Sequence, residues 1–93
     1  MIQGFADIET ERLFRDDVCA AKWRAIAKVA ARKLDILDAA TSLDDLRSPP
    51  GNRLEALKAD RAGQHSILVN DRWRLCFVWT DRGPDGVGIV DYH

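Results

Sequence analysis

HSILVNDRWRLCFVW, residues 65–79, has the clearest structural pattern in this chain. Its two halves, residues 65–69 and 73–79, are rich in β-branched, aromatic and aliphatic side chains, which favours two strands. Asn70 and Asp71 stand between them and form a good tight-turn pair. The pattern therefore predicts two antiparallel strands joined by a hairpin.

The strand at 73–79 alternates between two faces of the predicted sheet. One face has large apolar side chains that can seal a helix layer against the sheet: Trp73, Leu75, Phe77 and Trp79. Arg74 then lies on the opposite face, with Cys76 and Val78. Its position alone leaves two interpretations open, an ordinary solvated arginine or a functional cation.

Further strands are predicted on both sides of this hairpin. Residues 53–58 are a short strand candidate, followed by a polar turn at 59–63. Residues 80–86 contain Gly, Pro and Asp-Gly and are predicted to be a loop. A last strand is predicted from 87 to 92. The second half of the chain is therefore predicted to form an antiparallel meander.

The first half of the chain is predicted to be helical. Asp7 is a plausible N-cap for a short helix with Ile8, Leu13 and Phe14 on its core side. Residues 2–5 give a weak signal for an opening strand. Between residues 20 and 40, the helical period predicts an amphipathic helix of about five turns. Its apolar side would hold Trp23, Ile26, Ala27, Ala30, Leu34 and Leu37, and its polar side Lys22, Lys28, Arg32, Lys33, Asp35 and Asp38.

A short helical turn is predicted after this helix, because Ser42 stands three residues before Asp45 as in a capping box. Ser48-Pro49-Pro50-Gly51 then breaks the chain. The predicted fold class is α+β, with the N-terminal helices packed on one face of an antiparallel-dominated sheet.

Composition limits the classes of protein. With 93 residues, 46% of them hydrophobic and 31% charged, the chain is expected to form one globular domain over residues 1–93. No apolar run approaches the ~20 residues of a membrane helix, and the N-terminus has no signal-peptide pattern, so we expect a cytoplasmic protein with no membrane partner. Cys19 and Cys76 are expected to be reduced thiols, and no zinc-type spacing or cofactor motif is seen. A net charge of −1 gives no global attraction to nucleic acid.

Lys58, Arg74 and the final residues Asp91, Tyr92 and His93 are the candidates for chemistry, because one sheet can bring them together. The imidazole of His93 suits proton transfer near neutral pH, although a terminal histidine taken alone is more often only a chain end. Lysine, arginine, tyrosine and histidine without metal ligands fit phosphodiester cleavage by a ribose 2′-OH. That reaction needs a base, an acid and cations around the phosphorane.

Four blocks of the chain together resemble the HigB branch of the RelE/ParE toxin superfamily. They are GNRLEALK at 51–58, DRAGQ at 60–64, VNDRWRLCF at 69–77 and VDYH at 90–93. The resemblance covers essentially the whole chain, and NDRWR with the terminal DYH is its most specific part. It implies a RelE-like microbial RNase fold with the active site on the concave face of the sheet.

The resemblance also implies a function, that of the toxin in a type II toxin–antitoxin module, sometimes labelled a plasmid-maintenance killer protein. Such toxins cleave mRNA in the ribosomal A site and are silenced by a HigA-like helix-turn-helix antitoxin, through which alone they would reach operator DNA. Carried over by position, Lys58 and Arg74 would hold the scissile phosphate and His93 would handle a proton. Asp91 would orient His93 or the substrate, and Tyr92 would stack a base or position the 2′-OH.

Glu55 departs from the family pattern, since characterised members carry a histidine three residues before the lysine. Glutamate either replaces that imidazole as the base or is a solvated strand residue that leaves proton transfer to His93. Two further functions stay open: a ParE-like inhibitor of DNA gyrase, and a catalytically weak relative that binds its antitoxin as a co-repressor. His65 is expected to be a structural histidine of the sheet.

Overall fold

The computed structural model describes residues 1–91, in which two α-helices pack against a four-stranded sheet. The elements are α1 (Ile8–Asp16), α2 (Ala27–Ala39), β1 (Glu55–Ala56), β2 (His65–Leu68), β3 (Trp73–Thr80) and β4 (Gly83–Asp91). Short 3₁₀ helices lie at Ala21–Ile26, Leu43–Arg47, Pro50–Asn52 and Ala59–Arg61. The strands are neighbours in chain order and every neighbouring pair is antiparallel, which confirms the predicted α+β meander.

Helix α1 begins where the sequence predicts. The carboxylate of Asp7 accepts a hydrogen bond from the backbone N–H of Thr10 at 2.6 Å. Leu13 is buried, but the prediction that Ile8 faces the core is wrong, because its exposed fraction is 56%. The buried side of α1 is set by Thr10 and Leu13, and Ile8, two residues before Thr10, projects from the opposite side of the helix.

The helix predicted over residues 20–40 is divided. A 3₁₀ segment covers Ala21–Ile26, and α2 begins only at Ala27. Trp23 and Ile26 are nevertheless buried, so the apolar side of the segment is as predicted. No helix within residues 1–91 combines the length and the apolar character that crossing a membrane requires.

Lys33 was expected on the polar side of α2, and the structure corrects this: only 8% of the residue is exposed. Its ammonium donates to the side-chain oxygen of Asn52, which is itself fully buried. The amide of Asn52 donates in turn to the carbonyl of Leu46 at 3.1 Å and to that of Ser48 at 3.3 Å. Asn52 thereby supplies the partner that allows a lysine to be buried, and it joins α2 to the loop before β1.

The core lies between the helices and one face of the sheet. Its largest fully buried side chains include Trp23, Leu34, Leu37, Leu75 and Phe77. Trp73 and Trp79 pack against this cluster while partly exposed. The predicted alternation of β3 is therefore confirmed, and the face that carries Arg74 is turned away from the helices.

The loop predicted at residues 80–86 is mostly strand. Thr80 pairs with Gly83, so the reversal takes only residues 81–82, and Gly83 adopts a φ of 129° that favours glycine. The N-terminal residues run alongside β4. Phe5 forms a parallel bridge to Val87, and the backbone N–H of Gln3 donates to the carbonyl of Pro84 at 2.8 Å. The opening strand predicted at 2–5 is thus reduced to a single bridge.

The predicted turn between β2 and β3 and the predicted capping box after α2 are both present. The side chain of Asn70 accepts from the backbone N–H of Arg72 at 2.9 Å and of Trp73 at 2.8 Å, which fixes the β2–β3 turn. The carboxylate of Asp45 accepts from the backbone of Thr41 at 2.9 Å and of Ser42 at 3.2 Å. These hydrogen bonds, those from Thr41 first, hold the pKa of Asp45 below its ordinary value.

Candidate functional site

The sheet register aligns one row of residues across all four strands on the face away from the helices. The row consists of Glu55, Ser66, Cys76 and Gly88. Residues directly opposite each other in antiparallel strands share a face, and Cys76 alternates with the core residues Leu75 and Phe77. We call this the open face. Arg74, two residues before Cys76 on β3, belongs to the same face.

The guanidinium of Arg74 is fixed by two neighbouring strands. Its Nη1 donates to the hydroxyl of Ser66 at 3.0 Å and lies 3.0 Å from a carboxylate oxygen of Glu55. The side chain is only 17% exposed. Arg74 is therefore not the solvated surface arginine that its sequence position allowed, because its planar head is held in one orientation on the open face.

Glu55 lies on β1 opposite Ser66, and 55% of its side chain is exposed. Its carboxylate is thus accessible to water and bound to Arg74 at the same time. A carboxylate in this position can accept a proton from a ligand on the open face. It also offsets part of the positive charge that Arg74 would present to a phosphate.

Lys58 follows β1 and begins the loop that joins it to β2. Its backbone carbonyl accepts a hydrogen bond from the N–H of Arg61 at 3.1 Å. The side chain is exposed, and within residues 1–91 its ammonium forms no ion pair. Lys58 is therefore an exposed cation in the β1–β2 loop, three residues beyond Glu55.

Asp91 ends β4 directly opposite Trp73. Its carboxylate lies 2.8 Å from Nε of Arg72, whose guanidinium stacks 4.9 Å from the centre of the Trp73 ring. Because Asp91 pairs with Trp73, its side chain leaves the sheet on the helix side, whereas the side chain of Arg74 leaves it on the open face. Tyr92 and His93, which are also predicted site residues, lie outside the described part of the chain.

Besides Ser66, the structure adds Cys76 and Arg61, which the sequence did not assign to the site. Cys76 is buried, which raises the pKa of its thiol, while the positive charges of Arg61 and Arg74 act in the opposite direction. The hydrogen bond from the backbone N–H of Leu57 to the carbonyl of Gln64 continues the β1–β2 pairing, so Gln64, two residues before Ser66, belongs to the open face. Arg61 donates to the side chain of Gln64 at 3.3 Å and so reaches this face from the β1–β2 loop. No local pattern in the sequence indicates that contact.

His65 is confirmed as a structural histidine. It is half-buried opposite Phe77, and the two rings stack with their centres 6.3 Å apart. Elsewhere in residues 1–91, no three side chains of histidine, cysteine, aspartate or glutamate lie close enough together to hold a metal ion. The described open face combines Glu55 as an accessible carboxylate with the guanidinium of Arg74, and the exposed Lys58 lies in the loop that follows β1.

Comparison with known proteins identifies relatives of this chain. A family model described as the RelE-like toxin of type II toxin–antitoxin system HigB matches residues 3–93. Toxin HigB-1 of Vibrio cholerae is 51% identical over 96 residues, which cover 99% of this chain and 94% of the relative. An uncharacterized protein of Haemophilus influenzae is 48% identical over 52 residues, which cover 56% of this chain and 52% of the relative.

Proposed function

This chain belongs to the HigB-like family of RelE-like toxins from type II toxin–antitoxin systems, and we propose that it is an endoribonuclease that cleaves mRNA in the ribosomal A site. The observation that carries the proposal is the fixed guanidinium of Arg74 on the open face. It lies on the same face as an accessible carboxylate, and the loop that follows β1 carries a second, exposed cation, Lys58. A cation held in one orientation is suited to a phosphate whose negative charge increases in the transition state.

In the proposed reaction, a ribose 2′-OH attacks the phosphorus of its own 3′ phosphodiester. A bond forms between O2′ and phosphorus, the bond from phosphorus to O5′ breaks, and the products are a 2′,3′-cyclic phosphate and a free 5′-OH. Arg74 and Lys58 hold the phosphate and stabilise its added charge. The step is independent of metal ions and of any cofactor, since side chains supply both the charge and the proton transfer.

Proton transfer is assigned to Glu55 and His93. One group removes the proton from the 2′-OH, and the other protonates the departing O5′. Glu55 is the candidate base, because its carboxylate is exposed beside Arg74, and His93 is the candidate acid. Asp91 orients His93 or the substrate, and Tyr92 stacks a base or positions the 2′-OH.

A type II toxin implies an antitoxin partner. We propose that this partner is a HigA-like helix-turn-helix protein and that the toxin reaches operator DNA only through it. The other partners are the ribosome and its mRNA, so the site of action is the cytoplasm. Residues 1–93 form a single toxin domain in this proposal.

The deciding experiment measures mRNA cleavage on translating ribosomes by wild-type protein and by the variants Arg74→Ala and Arg74→Lys. We expect the alanine variant to lose about 100- to 1,000-fold in rate, the usual cost of removing one transition-state donor. The lysine variant keeps the charge but not the forked guanidinium, so its cleavage rate should lie between those of the wild type and the alanine variant. Lys58→Ala should lose less than Arg74→Ala, because a flexible ammonium positions a phosphate less rigidly.

Arg24→Ala is the control for this series, because Arg24 is an exposed arginine in the helix layer. It should cleave at the wild-type rate. Normal cleavage by a folded Arg74→Ala protein would exclude Arg74 from the site and contradict the proposal.

The ion pair between Glu55 and Arg74 favours one alternative, a catalytically weak toxin that mainly binds its antitoxin as a co-repressor. The carboxylate offsets the charge of the guanidinium and competes with a phosphate for it. This alternative predicts that the wild-type toxin cleaves no mRNA on translating ribosomes, yet strengthens binding of the antitoxin to operator DNA. A gel-shift titration with and without the toxin measures the second effect.

A further inference from the structure

Arg61 is a cation near the open face that has no role in the reaction described above. It ends the 3₁₀ turn Ala59–Arg61, three residues after Lys58. Its backbone N–H donates to the carbonyl of Lys58 at 3.1 Å. The β1–β2 loop therefore carries two positively charged side chains three residues apart.

The side chain of Arg61 is held without being neutralised. It is half-buried, and its Nη1 donates to the side-chain oxygen of Gln64, a neutral partner, at 3.3 Å. Asp60, its neighbour in the chain, is exposed and takes part in none of the ion pairs formed within residues 1–91; the same is true of Arg61. An arginine that is oriented by a neutral group keeps its full charge for a ligand.

Arg61 and Arg74 both influence the thiol of Cys76 through their charge. The thiol of Cys76 lies in the row formed with Glu55, Ser66 and Gly88, and the charges of Arg61 and Arg74 both act on it. Arg74 approaches this row from the neighbouring row on β3, whereas Arg61 approaches it from the β1–β2 loop. Arg61 is bound to Gln64 and Arg74 to Ser66, two residues further along the chain, so both guanidinium groups belong to the open face.

We propose that Arg61 binds a backbone phosphate of the mRNA next to the scissile one, so that Arg61 and Arg74 contact neighbouring phosphates on the open face. The proposal rests on the proposed function, because it identifies a substrate contact of the same site. A guanidinium fork matches the geometry of a phosphate and binds it through two parallel hydrogen bonds. Such a contact, made equally before and during the reaction, strengthens substrate binding and leaves the maximal rate unchanged.

The test measures binding of the full-length toxin to two sets of ribosomes. In the first set, the A-site codon carries 2′-O-methyl groups, which remove the attacking hydroxyl and keep the phosphates. In the second set, the mRNA ends at the P-site codon. For Arg61→Ala we expect about tenfold weaker binding to the first set. The slope of log affinity against log salt should fall by about 1. Binding to the second set should not change.

Three further variants isolate the contact. Arg61→Lys keeps the charge and should retain the wild-type salt slope. Arg24→Ala, an exposed arginine in the helix layer, should bind the first set as the wild type does. Gln64→Ala removes the neutral partner of Arg61 but no charge, so it should leave the salt slope unchanged.

Two results would overturn the proposal. Equal weakening of Arg61→Ala on both sets would mean that Arg61 contacts the ribosome or stabilises the toxin itself. Unchanged binding on the first set would exclude Arg61 from the mRNA. The proposed function fails separately, if the wild-type toxin does not cleave an unmodified A-site codon.

Discussion

The carboxylate of Glu55 and the guanidinium of Arg74 meet at 3.0 Å across the open face, from β1 and β3, with the hydroxyl of Ser66 on β2 also bound to Arg74. More than half of the Glu55 side chain is exposed, so water screens this ion pair, and screened pairs contribute little to stability, about 0–1 kcal/mol. Its value is therefore positional, since it fixes the direction of the Arg74 head and brings a proton acceptor close to it.

Replacing Glu55 by glutamine separates these two contributions. The amide oxygen of Glu55→Gln still accepts from Arg74 but cannot take a proton at neutral pH. If Glu55 is the base, cleavage on ribosomes should fall by about 100-fold or more. We expect this loss in a protein that is folded as the wild type is. An unchanged rate for Glu55→Gln would leave Glu55 as a positioning residue only.

The second prediction concerns the last residue. Deletion of His93 should lower cleavage by about 100- to 10,000-fold, the usual cost of losing a positioned acid or base. The unfolding free energy should change by less than about 0.5 kcal/mol, since the buried core described above uses residues 2–89. Thermal unfolding and ribosome-dependent cleavage measure the two effects on the same preparation. Cleavage at the wild-type rate would shift the assignment of the acid to Tyr92.

Lys33 should be needed for stability. In Lys33→Ala, the side-chain oxygen of the fully buried Asn52 loses its donor, which costs about 1–3 kcal/mol of unfolding free energy. Urea unfolding measures the change. Lys33→Gln offers a donor without the charge and is the matched variant. A loss below about 0.5 kcal/mol for the alanine variant would show that water replaces the lysine.

The same lysine predicts a dependence of stability on pH. Burial, and secondarily the charge of Arg32, lower the pKa of Lys33 from its ordinary value of 10.5. Between the lowered value and 10.5 the unfolded chain binds more protons than the folded one, so the contribution of Lys33 to stability rises with pH in that window. Wild type should therefore gain stability relative to Lys33→Gln as the pH rises towards 10.5. A difference that stays constant with pH would contradict this.

The cysteines should differ in reactivity. Cys76 is buried with a raised thiol pKa, whereas Cys19 is half-buried in the segment between the helices. Thiolate is the reactive form, so iodoacetamide near pH 7.5 should label Cys19 in the native protein and both residues in denaturant. Mass spectrometry of tryptic peptides locates the label. Rapid native labelling of Cys76 would mean that the sheet opens beside Arg74.

The hairpin of β2 and β3 was predictable because local chemistry and hydrophobic period agree there: Asn70 supplies the turn, and Leu75 alternates with Arg74. The start of β4 at Gly83 was not predictable, because glycine and proline in sequence favour a loop. Gly83 and Pro84 become strand residues by pairing with Thr80 and Trp79, which tertiary context imposes.

The candidate site was also predictable only in part. Arg74 was placed on the open face by alternation alone, but its contacts with Ser66 and Glu55 depend on register between three strands, which no local pattern specifies. The burial of Lys33 likewise depends on Asn52, 19 positions later in the chain. A polar side chain is buried when a distant partner satisfies it, and a helical period cannot indicate that partner.

The pairing of the N-terminal residues with β4 determines when the protein can fold. Gln3 donates to Pro84 near the start of β4, Phe5 forms a bridge to Val87 in its middle, and the hydroxyl of Thr10 accepts from the backbone N–H of Ile89 at 3.2 Å. Chains are synthesised from the N-terminus, so the first residues made acquire their partners only when the last strand has emerged. Strand β3 can pair with β2 before that, but the N-terminal residues cannot. The complete fold therefore has to wait for β4, and a nascent chain that lacks this strand leaves its N-terminal residues without their partners.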